Sequence, residues 1–265
     1  MSKNNQKHGF HLVDVSPWPL LLSLSALMLT FGAVLYMHGY NSGFFLFRLG
    51  LEMIFFMMFV WWGDVVREGT FEGQHTLVVQ KGIRLGMLLF IISEVMFFFA
   101  FFWGFFYSSF NPSQMIGGIW PPSYFVVINP WQVPLLNTIL LLSSGASVTW
   151  AHHSIVWGSK DNAIKALICT IFLAFVFTAL QAWEYLTASF TISDSIYGST
   201  FYLTTGFHGF HVLVGTIFLS ICLLRIVLNH FTREHHLGFE AAAWYWHFVD
   251  VVWLFLFLTI YWWGS

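Results

Sequence analysis

Apolar side chains run through this chain in seven long stretches, at roughly 16–37, 43–63, 84–107, 133–157, 163–187, 200–228 and 240–263. At about 1.5 Å of helical rise per residue, each is long enough to cross a hydrocarbon layer of about 30 Å. Backbone amides in lipid find no water, so runs of this length predict helices that satisfy their own hydrogen bonds. The pattern predicts an all-α polytopic membrane protein of seven transmembrane helices, one membrane domain spanning 1–265, with no soluble module or internal repeat.

The connections differ in kind. Residues 64–83 carry Asp64, Arg67, Glu68, Glu72 and Lys81, with Arg84 just beyond. Residues 108–132 carry no charge, and Pro112, Pro121, Pro122 and Pro130 exclude a helix and predict a rigid flap on the outer side. The charged connection divides the helices into a group of two and a group of five. Threading the chain back and forth puts Lys3, Lys7, Arg67, Lys81, Arg84, Lys160, Lys165, Arg225 and Arg233 on the face of the N-terminus and leaves Arg48 alone opposite. The positive-inside rule then predicts an N-terminus on the cytoplasm-like side. Trp61, Trp62, Trp157, Trp262 and Trp263 fall at span ends, where amphipathic rings favour the headgroup zone.

Composition narrows the class further. A hydrophobic share of 58% with only 8% charged residues excludes an ordinary soluble domain, and a net charge of −2 gives no reason to expect nucleic acid. Cys169 and Cys222 lie inside spans and read as apolar packing residues. The first run lacks a small-residue cleavage site, which predicts a retained first helix. Gly206, Gly209 and Gly215 are expected to let the sixth helix approach a neighbour closely.

Ionisable groups deep in lipid are functional candidates by default. Glu94 and Asp250 each lie about ten residues into their spans, near 15 Å in, and His208 and His211 lie about 12–16 Å in from the other end. All four are expected near the midplane as one polar layer, with Glu94 protonated or hydrogen-bonded to a histidine on another helix. The opposing reading is that they only tie helices together. His208 and His211 share one helix side, but a metal site needs third and fourth ligands at that depth. His247 lies three residues before Asp250 and is the nearest addition. His152 and His153 read as interfacial hydrogen-bonders. Arg67, with Trp62 behind it and His75 beyond, suits an anionic lipid phosphate, with Arg225 as a second contact. Ordinary topology signalling is the alternative.

Several motifs together resemble one family. Arg84-Leu-Gly-Met-Leu-Leu-Phe-Ile-Ile-Ser-Glu94 resembles the third-helix signature of subunit III of cytochrome c oxidase, of the mitochondrial aa3 type. Ser16-Pro-Trp-Pro19, Trp150-Ala-His-His153, Gly206-Phe-His-Gly-Phe-His211, the run from Gly238 to Trp253 and Tyr261-Trp-Trp-Gly-Ser265 resemble its other motifs, so the likeness covers essentially the whole chain. The resemblance implies two-helix and five-helix bundles around a lipid-filled cleft. It implies a non-redox core subunit of the terminal respiratory complex, which reduces oxygen to water with proton pumping. Haem a and copper would sit in partner subunits. Subunit I is the main partner, with subunit II and accessory subunits beside it, and structural phospholipids are expected. Glu94 matches the family's carbodiimide-reactive carboxyl, Arg67 and Arg225 its lipid-contacting arginines, and His8 and His11 its N-terminal proton-antenna histidines. Gly63 departs from the family's arginine at that place, and Glu52 matches no motif.

The implied role is indirect: stabilising subunit I, holding lipid, and supporting oxygen access and proton uptake. The implied location is the mitochondrial inner membrane, with the N-terminus in the matrix and the C-terminus in the intermembrane space; a bacterial plasma membrane is the alternative. Two other classes compete. A stand-alone proton-coupled transporter would use Glu94 and Asp250, yet the discontinuous helices or inverted repeats usual for such proteins are not visible. A haem-carrying membrane anchor would need a facing histidine at matching height.

Overall fold

The computed structural model describes residues 8–124 and 126–264, so Lys3, Lys7 and Ser265 lie outside the described residues. Among the described residues, seven helices are long and apolar enough to cross a membrane: α1 (Trp18–Met37), α2 (Asn41–Thr70), α3 (Leu77–Phe110), α4 (Val133–Trp157), α5 (Lys160–Thr187), α6 (Ile196–Val227) and α7 (Leu237–Leu256). The last continues as a π-helix over Phe257–Trp263.

The ends differ from the hydropathy pattern where charge begins. α2 runs on through Asp64 and Arg67, and α3 starts before Lys81 and Arg84, so the charged connection shrinks to a short turn. Hydropathy marks where lipid stops; helical hydrogen bonding continues into water while good helix formers follow. The 108–132 connection also shortens, because α3 reaches Phe110, and a single 3₁₀ turn (Gln114–Ile116) forms where no proline interrupts. At firmer boundaries the local chemistry is visible. Gly158, at φ 80°, ends α4 in a left-handed conformation, and the Ser195 hydroxyl caps the amides of Tyr197 and Gly198 at the start of α6.

The chain forms two compact units, residues 1–83 and 84–265. In the first, α1 and α2 meet backbone to backbone. A Cβ added at Gly43 would stand 2.2 Å from the Tyr36 amide nitrogen, and Gly32 and Gly50 sit equally tightly against Phe47 and Leu29. The Trp18 indole donates to Asp64 Oδ2 at 2.7 Å, and the Thr76 hydroxyl donates to the Gly9 carbonyl.

In the second unit α4, α5, α6 and α7 close on one another, each packed on the next and α7 on α4. Trp246 and Trp253, seven residues apart on one face of α7, donate to the α4 hydroxyls of Ser144 and Thr138, each at 2.9 Å. Part of α3 lies along α6 and α7 through Phe97, Phe98 and Phe105. Of the three α6 glycines expected to mediate close approach, only Gly215 does so. A Cβ there would stand 2.9 Å from the Trp246 ring, whereas one at Gly206 or Gly209 would meet open space or a distant hydroxyl. Cys169 and Cys222 are both free.

Candidate functional site

Glu94, His211 and Asp250 stand at the middles of α3, α6 and the α7 span, even though these helices are longer than the apolar runs. Glu94 Oε2 lies 2.8 Å from His211 Nε2. The other ring nitrogen, Nδ1, lies 2.7 Å from the Phe207 carbonyl oxygen, which only accepts, so Nδ1 carries a hydrogen. That fixes the tautomer. The contact with Glu94 then holds one proton in one of two places: on Nε2 beside an ionised carboxylate, or on the carboxyl with Nε2 accepting. Without it, two acceptors would face each other at hydrogen-bonding distance. Phe98 packs edge-on to the imidazole with ring centroids 4.9 Å apart, and Tyr245 stacks at 6.3 Å, so the walls are apolar.

The four midplane residues do not form the single layer expected. His208 is fully buried, directs Nε2 at the Val249 carbonyl (3.2 Å), and is flanked by Phe177 and Trp253. Asp250 turns instead toward α4, where an added Cβ on Gly145 would stand 2.5 Å from its Oδ2. Its Oδ1 is buried with no hydrogen-bond partner among the described residues. His247 joins this second cluster rather than the His208–His211 pair. Its Nδ1 lies 3.8 Å from Asp250 Oδ2 and its Nε2 3.4 Å from the Thr149 hydroxyl. The split follows from helix direction. Asp250 faces α4 and the His211 carboxylate partner comes from α3, two different neighbours of the bundle.

The residues read as a lipid-phosphate group are also divided. Arg67 lies 3.4 Å from Asp64 Oδ1 and 3.3 Å from Glu72 Oε1, and Trp62 is exposed nearby on α2. His75 packs against Gly69, two residues from Arg67 and so on the opposite side of the helix, and its ring lies 6.2 Å from His11. His11 in turn lies 3.7 Å from Glu68, and His8 lies beside Phe10. Arg225 lays its guanidinium 4.2 Å above the Phe231 ring, and Gly238 makes room for it.

Two groups escaped the sequence reading. At one end of the five-helix unit, Arg84 grips Glu240 with a two-pronged contact, Nε to Oε2 at 2.9 Å and Nη2 to Oε1 at 3.2 Å, tying α3 to α7. His236 and His152 stand beside it, and ligand-capable atoms of His152, His236 and Glu240 lie within 4.8 Å of one another. At the other end, Glu184 is buried with Gln181 and Tyr261, whose hydroxyl donates to Glu184 Oε1 at 2.6 Å. Both acids lie near span ends, so a search by depth passes over them. Pairing the residues at adjoining ends of α3 and α7 would have found Arg84 with Glu240; nothing local marks Glu184.

Known proteins supply a further line. A model of the family described as cytochrome c oxidase subunit III matches residues 8–265. A protein of Marchantia polymorpha named cytochrome c oxidase subunit 3 is 65% identical over 261 residues, 98% of each chain. One of Arabidopsis thaliana with the same name is 64% identical, again over 98% of each. Another, of Prototheca wickerhamii, is 63% identical over 98% of this chain and 99% of its own.

Proposed function

The chain belongs to the cytochrome c oxidase subunit III family, and from that premise we propose that it acts as a non-redox subunit that holds a proton-bearing carboxyl–imidazole pair, Glu94–His211, inside the oxidase. Membership makes it a multi-pass membrane subunit of cytochrome c oxidase. Neither a stand-alone transporter nor a haem-carrying anchor is favoured.

The observation that carries the reading is the commitment of the imidazoles. Both nitrogens of His211 are engaged, one by a carbonyl and one by Glu94, and Nε2 of His208 faces the Val249 carbonyl. With both nitrogens engaged, His211 has none open to an iron or copper ion, and the remaining nitrogen of His208 cannot make a bis-histidine site alone; rings held this way suit proton exchange or helix contacts. Haem a and copper then belong to partner subunits, with subunit I as the main neighbour and subunit II and accessory subunits around it. The location that goes with this role is the mitochondrial inner membrane, with the N-terminus in the matrix.

Supporting roles follow from surface chemistry. The long apolar faces of α1, α2 and α3 are exposed in the isolated chain and suit lipid tails or partner helices. Arg67 and Trp62 on one helix, and Arg225 with Phe231 on another, suit phospholipid headgroups. Oxygen partitions into such lipid, and His8 with His11, the latter 3.7 Å from Glu68, would buffer protons at the polar rim. The test is Glu94→Gln in the assembled oxidase. Electron entry and haem reduction should proceed at the unmodified rate, with any loss confined to proton uptake during turnover. Abolished haem reduction in assembled complexes would overturn the assignment.

A further inference from the structure

We infer that His152, His236 and Glu240 form a binding site for a divalent transition-metal ion of the zinc class, occupied in competition with the Arg84 guanidinium. The inference goes beyond the oxidase reading, which uses none of these three residues.

The argument begins with lone pairs. His236 Nδ1 lies 3.1 Å from the Thr232 carbonyl oxygen, an acceptor, so Nδ1 carries the hydrogen and the neutral ring leaves Nε2 bare. That bare nitrogen faces Glu240 Oε1 at 3.5 Å, longer than a normal hydrogen bond. Two acceptors that face each other at this spacing call for a cation between them. Ligands about 2.0–2.2 Å from a tetrahedral ion stand about 3.4 Å apart, close to the separation of this pair, and the His152 atom lies within 4.8 Å of both. His152 supplies a third donor, its ring centroid 5.5 Å from that of His236, and carries no ring hydrogen bond among the described residues. Two imidazoles and one carboxylate suit zinc, whose fourth position takes water, and do not suit magnesium or calcium, which prefer all-oxygen shells. The Nδ1–H to carbonyl contact is the outer-shell support that fixes a ligating histidine in place.

Arg84 is the competitor. It holds both oxygens of Glu240, so an ion on Oε1 shares that oxygen with the guanidinium, is repelled by its charge, and weakens the 3.2 Å contact from Nη2. Metal entry therefore loosens the tie between α3 and α7, and removal of the arginine should favour the metal.

The experiment is equilibrium dialysis of the chelator-treated assembled oxidase against radioactive zinc, with the stoichiometry compared across variants. One zinc per complex should be weakened about tenfold to a hundredfold in His152→Asn and in His236→Asn. It should be tightened in Arg84→Gln and unchanged in His153→Asn, whose exposed ring lies outside the cluster. Zinc-edge absorption of the wild-type complex should report two nitrogen neighbours at this extra ion. Equal zinc binding in wild type and His152→Asn, or no gain in Arg84→Gln, would overturn the inference and leave a proton as the only cation at the cluster. His152 is only half-buried, so its variant keeps the test available should His236→Asn fail to assemble.

Discussion

The two units of this chain are held together by different means. Residues 1–83 contribute two helices that touch backbone to backbone through Gly32, Gly43 and Gly50, with few buried side chains between them. Residues 84–265 pack large aromatic residues, with buried polar groups threaded among them, from the Trp246–Ser144 bond to Glu184 with Gln181 and Tyr261. In lipid, apolar contact alone gives little preference for a neighbouring helix over a lipid tail, so association needs either very close approach or hydrogen bonds. The smaller unit uses the first and the larger unit mostly the second.

The largest effect should come from filling the glycine contact. Gly43→Leu puts a side chain where backbone already stands and cannot move aside, and should keep the α1–α2 pair from forming, seen as lost thermal stability or assembly of the oxidase. Gly209→Leu, with nothing within 4 Å of an added Cβ, is the matching control and should assemble normally. A severe effect of the control and a mild effect of Gly43→Leu would reverse the comparison.

Both the strength and the limits of the sequence pattern follow from the same physics. Every helix was legible because lipid demands an apolar run of fixed length, and Glu94, His211 and Asp250 were legible because charge and imidazole at mid-span are conspicuous. Partners were not. Whether Asp250 faces α3 or α4 depends on helix rotation, which a pattern apolar all round does not encode. The same blindness chose Gly206 and Gly209 over Gly32 and Gly43, since a glycine's role depends on what stands opposite. Arg84 reads in sequence only as a charge on the face of the N-terminus, and its pairing with Glu240 stays hidden because one chain position says nothing about the neighbouring helix.

In the larger unit, Trp246→Ala should cost about 3–5 kcal/mol, because a fully buried ring is lost and the Ser144 hydroxyl loses its indole donor. Chemical denaturation of the assembled complex would read this. Tyr261→Phe is gentler, leaving Glu184 Oε1 with only the Gln181 amide at 3.1 Å, and should cost about 0.5–1.5 kcal/mol in the same assay. Full tolerance of both would mean that side-chain bonds do not hold this unit. The smallest effect belongs to Arg48→Ala in α2. Its 2.7 Å ion pair with Glu52 is exposed, and no shift in thermal midpoint should be detectable.

The central claim is that the mid-membrane histidines of this chain serve carboxyl, carbonyl and packing contacts while redox metals sit on other subunits. The most direct measurement is the reduced-minus-oxidised absorption spectrum of assembled oxidase carrying His208→Asn together with His211→Asn, normalised to the amount of complex. The account predicts haem bands of unchanged position and amplitude per complex. Loss of one haem's absorption from complexes that still assemble would contradict it.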